Sequence, residues 1–189
     1  MTSLGVEGAS ALARLQMEEP DLDLTVRDEG FAEDLAKRIG AKRVGLGSLR
    51  VASGDVVAVE GYRTGDWWVQ DAAAAIPAQL LGIESGQTVF DLCAAPGGKT
   101  MQIAAMGAKT VAVDRSRTRL QRVEENLERT GLQDRVEIVA ENAETWSPDM
   151  LADAVLLDAP CSAFGTLRRH PEGAWIKGPD DIARFPNVQ

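Results

Sequence analysis

Residues 88–106 constrain this chain more than any other stretch. A short apolar run, Thr88-Val89-Phe90, leads into Asp91-Leu92-Cys93-Ala94-Ala95-Pro96-Gly97-Gly98-Lys99-Thr100, and Met101 to Met106 reads as a helix. The order is strand, tight glycine turn, helix N-terminus. Such a turn presents backbone N–H groups and the positive end of a helix dipole. Gly97 and Gly98 allow a sharp bend and close approach of a ligand, because no Cβ intervenes. Pro96 fixes one φ angle and stiffens the loop. An ordinary strand-to-helix turn would look much the same, so the rest of the chain has to decide.

Two ligand classes compete for the loop. Gly98-Lys99-Thr100 ends like a phosphate-binding P-loop, and the apolar strand 154–157 followed by Asp158 resembles a magnesium-holding strand. A P-loop, however, requires glycine five positions before Gly98, and Cys93 stands there. The other class is a nucleoside with a ribose and a charged amino-acid tail, such as S-adenosylmethionine. It asks for an acid at the end of the next strand to accept from the ribose hydroxyls, and Asp114 after Thr110–Val113 meets that requirement. The second class is favoured.

Downstream, strands expected at 88–92, 110–113, 136–139 and 154–158 alternate with helices at about 98–106 and 116–130. The fold class is therefore α/β, with parallel strands joined by right-handed crossovers. Leu120, Val123 and Leu127 mark the buried stripe of the second helix, and its many charges read as a solvated face. In such sheets a ligand binds beyond the carboxyl ends of the strands. Residues 93–99, Asp114, Asn142 and Asp158 all lie just after a strand, so they belong to one site.

The first third reads differently. Residues 1–19 have little pattern and are expected to be a linker or a frayed helix. Leu22, Leu24 and Val26 alternate as one face of a strand. Phe31, Leu35 and Ile39 form one face of a helix, which Gly40 stops. Further strands are expected around Ser48–Val51 and Val56–Val59. Residues 20–64 are thus read as a small α+β subdomain, and residues 65–189 as the domain that holds the ligand. Trp67 and Trp68 are read as core anchors joining the two, in preference to platforms for substrate stacking.

A second constellation runs from Asp158 to Glu172. Pro160-Cys161 places a thiol in the loop after the last strand, where nucleophilic or acid–base work is the functional reading and a small buried hydrophobe the bland one. Arg168, Arg169 and His170 follow, and beside a ligand site they could grip a phosphate backbone. Acids outnumber bases 29 to 20, giving a net charge of −9, which argues against wholesale nonspecific binding to nucleic acid and does not exclude a local basic groove. Two cysteines and one histidine supply neither a disulfide framework nor a metal site. No apolar run spans a membrane and no signal peptide is visible, so the expected setting is the cytoplasm.

The segments at 91–100 and 158–172 resemble the Sun family of S-adenosylmethionine-dependent RNA cytosine methyltransferases, the RsmB-like enzymes. Gly65–Asp71 resembles the segment preceding the first motif in that family. The resemblance implies a Rossmann-like methyltransferase sheet with a small N-terminal α+β subdomain, and methyl transfer to carbon-5 of cytosine in rRNA or tRNA. It implies that Cys93, Ala94, Ala95, Pro96, Gly97, Gly98 and Lys99 cradle the methionine part of the cofactor. Asp114 would bind the ribose, and Asp158 would face the methyl group and the base. Asn142 stands where the family has an aspartate near the adenine. In the family a later Thr-Cys supplies the attacking thiol, and the Pro-Cys cysteine, here Cys161, helps release product. No Thr-Cys follows in this sequence. The expectation is a chain that carries the cofactor half of the site, with an incomplete sheet and self-association through the uncovered strand at 154–158.

Overall fold

The computed structural model describes residues 5–167, 169–176, 178–183 and 185–187. They fall into two compact units, Leu22–Asp158 and a second made of Met1–Asp21 with Ala159–Gln189. In the second unit, α1 (Gly5–Met17) is built from alanine and leucine, with Glu7 in its first turn and Arg14 in its last to complement the dipole. Of the two expectations for this stretch, linker or frayed helix, the structure shows a helix. Two short helices follow near the other end, α6 (Gly173–Ile176) and α7 (Pro179–Ala183).

The larger unit holds two four-stranded sheets. The first is antiparallel and runs β2 (Lys42–Val44), β3 (Ser48–Val51), β1 (Leu22–Val26), β4 (Trp67–Val69). Leu22, Leu24 and Val26 do share one face, where they pack with Leu35, Leu49, Val51 and Trp67. The opposite face of β1 is buried as well. Asp23 on that face is fully covered because its carboxylate accepts from Arg50 Nε at 2.6 Å and from the Ala72 backbone N–H at 3.0 Å.

Two local expectations are corrected. Val56–Ala58 is a 3-10 turn and not a strand, because the Asp55 side chain accepts from the Val57 N–H at 3.0 Å and offers the backbone an alternative to a ladder. Phe31 lies in a 3-10 turn ahead of α2 (Ala32–Ile39), where Asp28 caps Gly30, and it is 65 % exposed instead of joining Leu35 in the core. Trp67–Val69 is a strand of the first sheet, paired with β1 through Thr25 and Trp68, so this sheet draws on residues from both sides of position 64.

The second sheet is wholly parallel, in the order β7 (Val136–Val139), β6 (Lys109–Val113), β5 (Thr88–Leu92), β8 (Ala154–Leu157). Helices α3 (Ala72–Leu80), α4 (Gly98–Ala105) and α5 (Arg117–Thr130) accompany it. Leu120, Val123 and Leu127 of α5 are buried against Met101 and Ala104 of α4, the stripe that the sequence marks out. Elsewhere Phe90, Val111 and Val113 pack with Trp146 and Ala152 from the segment between β7 and β8, the Phe90 and Trp146 rings meeting edge to face at 4.9 Å. Strand β8 is an edge of this sheet, with Val155 and Leu157 more than half exposed.

Adjacent tryptophans join the two sheets. Side chains alternate along a strand, so Trp67 and Trp68 must point opposite ways. Trp67 enters the antiparallel core with Leu24 and Leu49. Trp68 enters the other core with Ala95, Met101 and Leu120. Each indole N–H finds a partner, Glu60 O at 2.8 Å and Gln70 Oε1 at 2.9 Å. Gly65 adds a backbone contact: it sits at φ +73°, and a Cβ placed there would overlap the Arg129 carbonyl and lie 2.6 Å from Thr130 Cα. Arg129 completes the junction by donating to the carbonyls of Tyr62 and Trp67 at 2.8 and 3.0 Å while its guanidinium stacks over the Tyr62 ring. Among the described residues no helix is long and apolar enough to cross a membrane.

Candidate functional site

Because β5, β6, β7 and β8 are parallel, their carboxyl ends share one edge of the sheet. The loop after β5 is pinned there by backbone bonds, Ala94 N–H to Val113 O at 3.0 Å and Gly97 N–H to Ala94 O at 2.9 Å. Ala95–Pro96 is a cis peptide. Gly97 at φ +104° opens α4, and a Cβ on it would press against Val123 Cγ1 at 3.1 Å, so both the turn and the packing call for glycine. Gly98 is in an ordinary conformation, and a Cβ there would meet the Gln70 side chain at 3.6 Å. The second left-handed residue of the loop is Cys93, at φ +66°.

A cavity of about 340 Å³ lies against this loop. Cys93, Ala94, Ala95, Pro96, Gly98 and Lys99 line it on one side, and Asp91 and Asp158 contribute carboxylates. Trp68, Gln70 and Asp71 line it from β4 and the segment after it. Gln70 is held by a buried chain of bonds: it accepts from Trp68 Nε1 and donates to Gln102 Oε1 at 3.1 Å, and Gln102 donates to Ala75 O at 2.9 Å.

The charges in the cavity are arranged about Lys99 and Asp91. Lys99 Nζ lies 2.6 Å from Asp158 Oδ2. Asp91 is 1 % exposed, and its Oδ2 accepts from the Thr100 hydroxyl at 2.6 Å. Burial raises its pKa from 3.8 to about 6; the Thr100 bond and the Lys99 charge oppose that rise, and the carboxylates of Asp158 and Asp114 add to it. Burial also pushes the Cys93 thiol up, with Asp114 reinforcing the effect, so Cys93 is held as a neutral thiol.

Asp114 and Asn142 lie at the ends of neighbouring strands but do not line this cavity. The Asp114 carboxylate is almost completely covered. It accepts from the N–H groups of Ser116 at 2.9 Å and Ala95 at 3.2 Å, and Arg119 Nη1 stands 3.4 Å from it. Asn142 is exposed, and its Oδ1 accepts from the Glu144 N–H at 3.3 Å. Cys161, Arg169 and His170 belong to the other unit. The Cys161 thiol is exposed, and its Sγ accepts from the Ala163 N–H at 3.4 Å. His170 Nδ1 faces Glu172 Oε1 at 3.3 Å. Arg168 lies outside the described residues. No cluster of three metal-ligating side chains occurs among the described residues.

Three contributors are not apparent from sequence. Asp91 sits inside the motif, yet its importance is a matter of burial, which a strand-end aspartate does not announce. Gln70 is visible only through its partners. Arg119 is hidden in a run of charges that reads as solvated helix surface; its one signal is that α5 has no acid in its first turn.

Residues 78–189 match the family described as 16S rRNA methyltransferase RsmB/F. Ribosomal RNA small subunit methyltransferase B of Yersinia pseudotuberculosis is 46 % identical over 132 residues, which is 68 % of this chain and 31 % of that protein. This chain therefore spans about a third of the length of the curated relatives it matches. Among solved structures, PH0851 is similar over 99 % of this chain and 45 % of its own, with a TM-score of 0.82 and 26 % identity. A methyltransferase homolog protein from Pyrococcus horikoshii is similar over 93 % of this chain and 67 % of its own, with a TM-score of 0.68 and 25 % identity. The parallel sheet with its glycine turn, and a match that takes in more than half of the sequence, lead to one assignment: the chain belongs to the 16S rRNA methyltransferase RsmB/F family.

Proposed function

We propose that this chain carries the cofactor half of an enzyme that transfers a methyl group from S-adenosylmethionine to carbon-5 of a cytosine in rRNA. The observation that carries the reading is the shared cavity: the loop 93–99, Asp91 and the Lys99–Asp158 pair meet at the carboxyl edge of a parallel sheet in a chain of this family. The donor set suits the cofactor, whose sulfonium and ammonium are cations and whose carboxylate is an anion, since the cavity is lined by Asp71, Asp91 and Asp158 together with Lys99 and Arg129. The cofactor supplies an electrophilic methyl group when bound. In this reading residues 93–99 hold its methionine part, Asp114 its ribose and Asn142 the adenine edge.

Asp158 faces the reacting groups and Lys99 holds it in orientation. Cys93, a neutral thiol, does not attack the base. Cys161, in the loop after β8, is left with the thiol chemistry of this chain, and Arg168, Arg169 and His170 contact the RNA backbone. The setting proposed is the cytoplasm. The phosphate-binding alternative has no support in the family that the chain matches. A non-catalytic role, binding cofactor or RNA without turnover, is the second reading.

Transfer of a labelled methyl group from S-adenosylmethionine to unmodified 16S rRNA by the 189-residue chain tests the proposal, with Cys161→Ser alongside and cofactor binding followed by calorimetry. Transfer to cytosine carbon-5 establishes the activity. Cofactor binding without transfer keeps the cofactor half of the site and shows that this chain alone does not turn over. Absence of cofactor binding removes the enzyme reading and leaves RNA binding alone.

A further inference from the structure

Arg119 stands where helix physics disfavours it. The first turn of α5 carries Arg117 and Arg119 and no acid, although the positive end of the dipole favours acids there. A local rule broken in this way points to a gain made elsewhere. The gain is visible at Ala95. Its N–H donates to Asp114 Oδ2, and its carbonyl accepts from Arg119 Nη2. The same guanidinium reaches Asp114 Oδ2 through Nη1 at 3.4 Å. Arg119 and Asp114 thus grip both polar backbone groups of one residue in the loop after β5, and they brace each other in doing so.

The helix is built to hold this side chain. Ser116 caps α5 by accepting from the Arg119 N–H at 3.3 Å, and the N–H of the same Ser116 fixes the second oxygen of Asp114 at 2.9 Å. Two N–H bonds and the Arg119 ion pair occupy part of a carboxylate that has about four acceptor positions, and the remainder is left for ligand hydroxyls. Arg119 is half exposed and Asp114 only 3 % exposed, so the guanidinium forms the outer cover of the acid.

We propose that Arg119 is a positioning residue that locks the Asp114 carboxylate to the 93–99 loop, so that a nucleoside diol at one end of the ligand and a charged amino-acid tail at the other are held at one fixed spacing. This rests on the cofactor reading given above. Arg119 touches no reacting atom; it acts through Asp114 and Ala95. Lysine cannot replace it fully, because a single ammonium does not offer the planar fork that serves two acceptors at once.

The test is calorimetric binding of S-adenosylhomocysteine and its 2′-deoxy analogue to the 189-residue chain and to Arg119→Ala, Arg119→Lys, Asp114→Ala and the Asp114→Ala/Arg119→Ala double variant. The parent chain should prefer the diol by roughly tenfold or more, the loss expected when a hydroxyl bonded to a carboxylate is removed. In Arg119→Ala that preference should fall to within about threefold, because the acid is no longer aimed. Arg119→Lys should lie between. Adding Arg119→Ala to Asp114→Ala should leave the diol preference where Asp114→Ala has already put it. A merely structural arginine would weaken both ligands alike and leave the preference intact, and that result in both Arg119 variants overturns the proposal. Failure of the parent chain to bind either ligand overturns the cofactor reading, and this inference with it; binding with an undiminished preference in the variants overturns this inference alone.

Discussion

Lys99 Nζ and Asp158 Oδ2 lie 2.6 Å apart, which ties the helix opening after β5 to the end of β8, its neighbour in the parallel sheet. The lysine is largely covered and the aspartate more than half exposed, so the pair faces outward through its acid. Such a pair adds little to folding. Asp158→Asn should change unfolding free energy by less than about 1 kcal/mol. It should weaken S-adenosylmethionine binding by about 1.5–3 kcal/mol, the usual cost of losing a charged hydrogen-bond partner. Urea denaturation and calorimetry on the same preparation separate the two effects, and unchanged affinity would remove Asp158 from the site.

Asp91 makes stability depend on pH in an unusual sense for a carboxyl. Its pKa is raised from 3.8 to about 6, so the folded chain binds the proton more tightly than the unfolded chain does. The stabilisation that results is complete below about pH 4 and is lost as the pH rises through about 6. A rise of that size corresponds to about 3 kcal/mol at most. Asp91→Asn keeps an acceptor for the Thr100 hydroxyl and carries no charge. It should be more stable than the parent by about 1–3 kcal/mol at pH 7, with the difference vanishing near pH 4. Denaturant melts at both pH values check this, and equal differences at the two would show that Asp91 is not the group responsible.

Gly65→Ala should be among the most damaging single changes in the chain. The new Cβ would meet the backbone of Arg129 and Thr130, neither of which can rotate away, at a residue with φ +73°. A loss of about 3 kcal/mol or more is expected. Gly86→Ala is the control: its φ is also positive at +91°, but a Cβ there meets nothing within 4 Å. That change should cost only about 1–2 kcal/mol. Similar losses at both positions would mean that backbone strain, and not the approach to α5, governs position 65.

Strand β8 should make the chain associate with itself. Among the described residues it has one hydrogen-bonded neighbour, β5, and Val155 and Leu157 are 51 % and 57 % exposed. An open apolar edge of this kind templates pairing with another strand. Sedimentation should show mass rising with concentration for the parent and less so for a Val155→Lys/Leu157→Lys variant. A parent that stays monomeric at high concentration would refute the expectation.

The parallel half of the fold is legible in the sequence because its strands are short apolar runs and the loops after them carry chemically marked residues. Asp114 and Asp158 sit directly after strands, as the apolar runs predict, and α5 buries the stripe of Leu120, Val123 and Leu127. The antiparallel half is less legible. Its strands β2 and β4 have three residues each, too few to show a period, and Asp23 breaks the polar-out rule because Arg50 and the Ala72 N–H satisfy it inside. In the site, residues proposed to bond ligand can be named from their position after strands. Those whose role is to hold other residues, such as Gln70 and Arg119, cannot, since their meaning lies in partners that come from far along the chain.

The paired rings of Trp67 and Trp68 place an arithmetic constraint on how this region can vary. One residue inserted or deleted within β4 would reverse which ring enters which core, and both cores would then receive a side chain on the wrong side of the strand. Chains built on this plan should therefore keep a fixed length between Gly65 and Asp71.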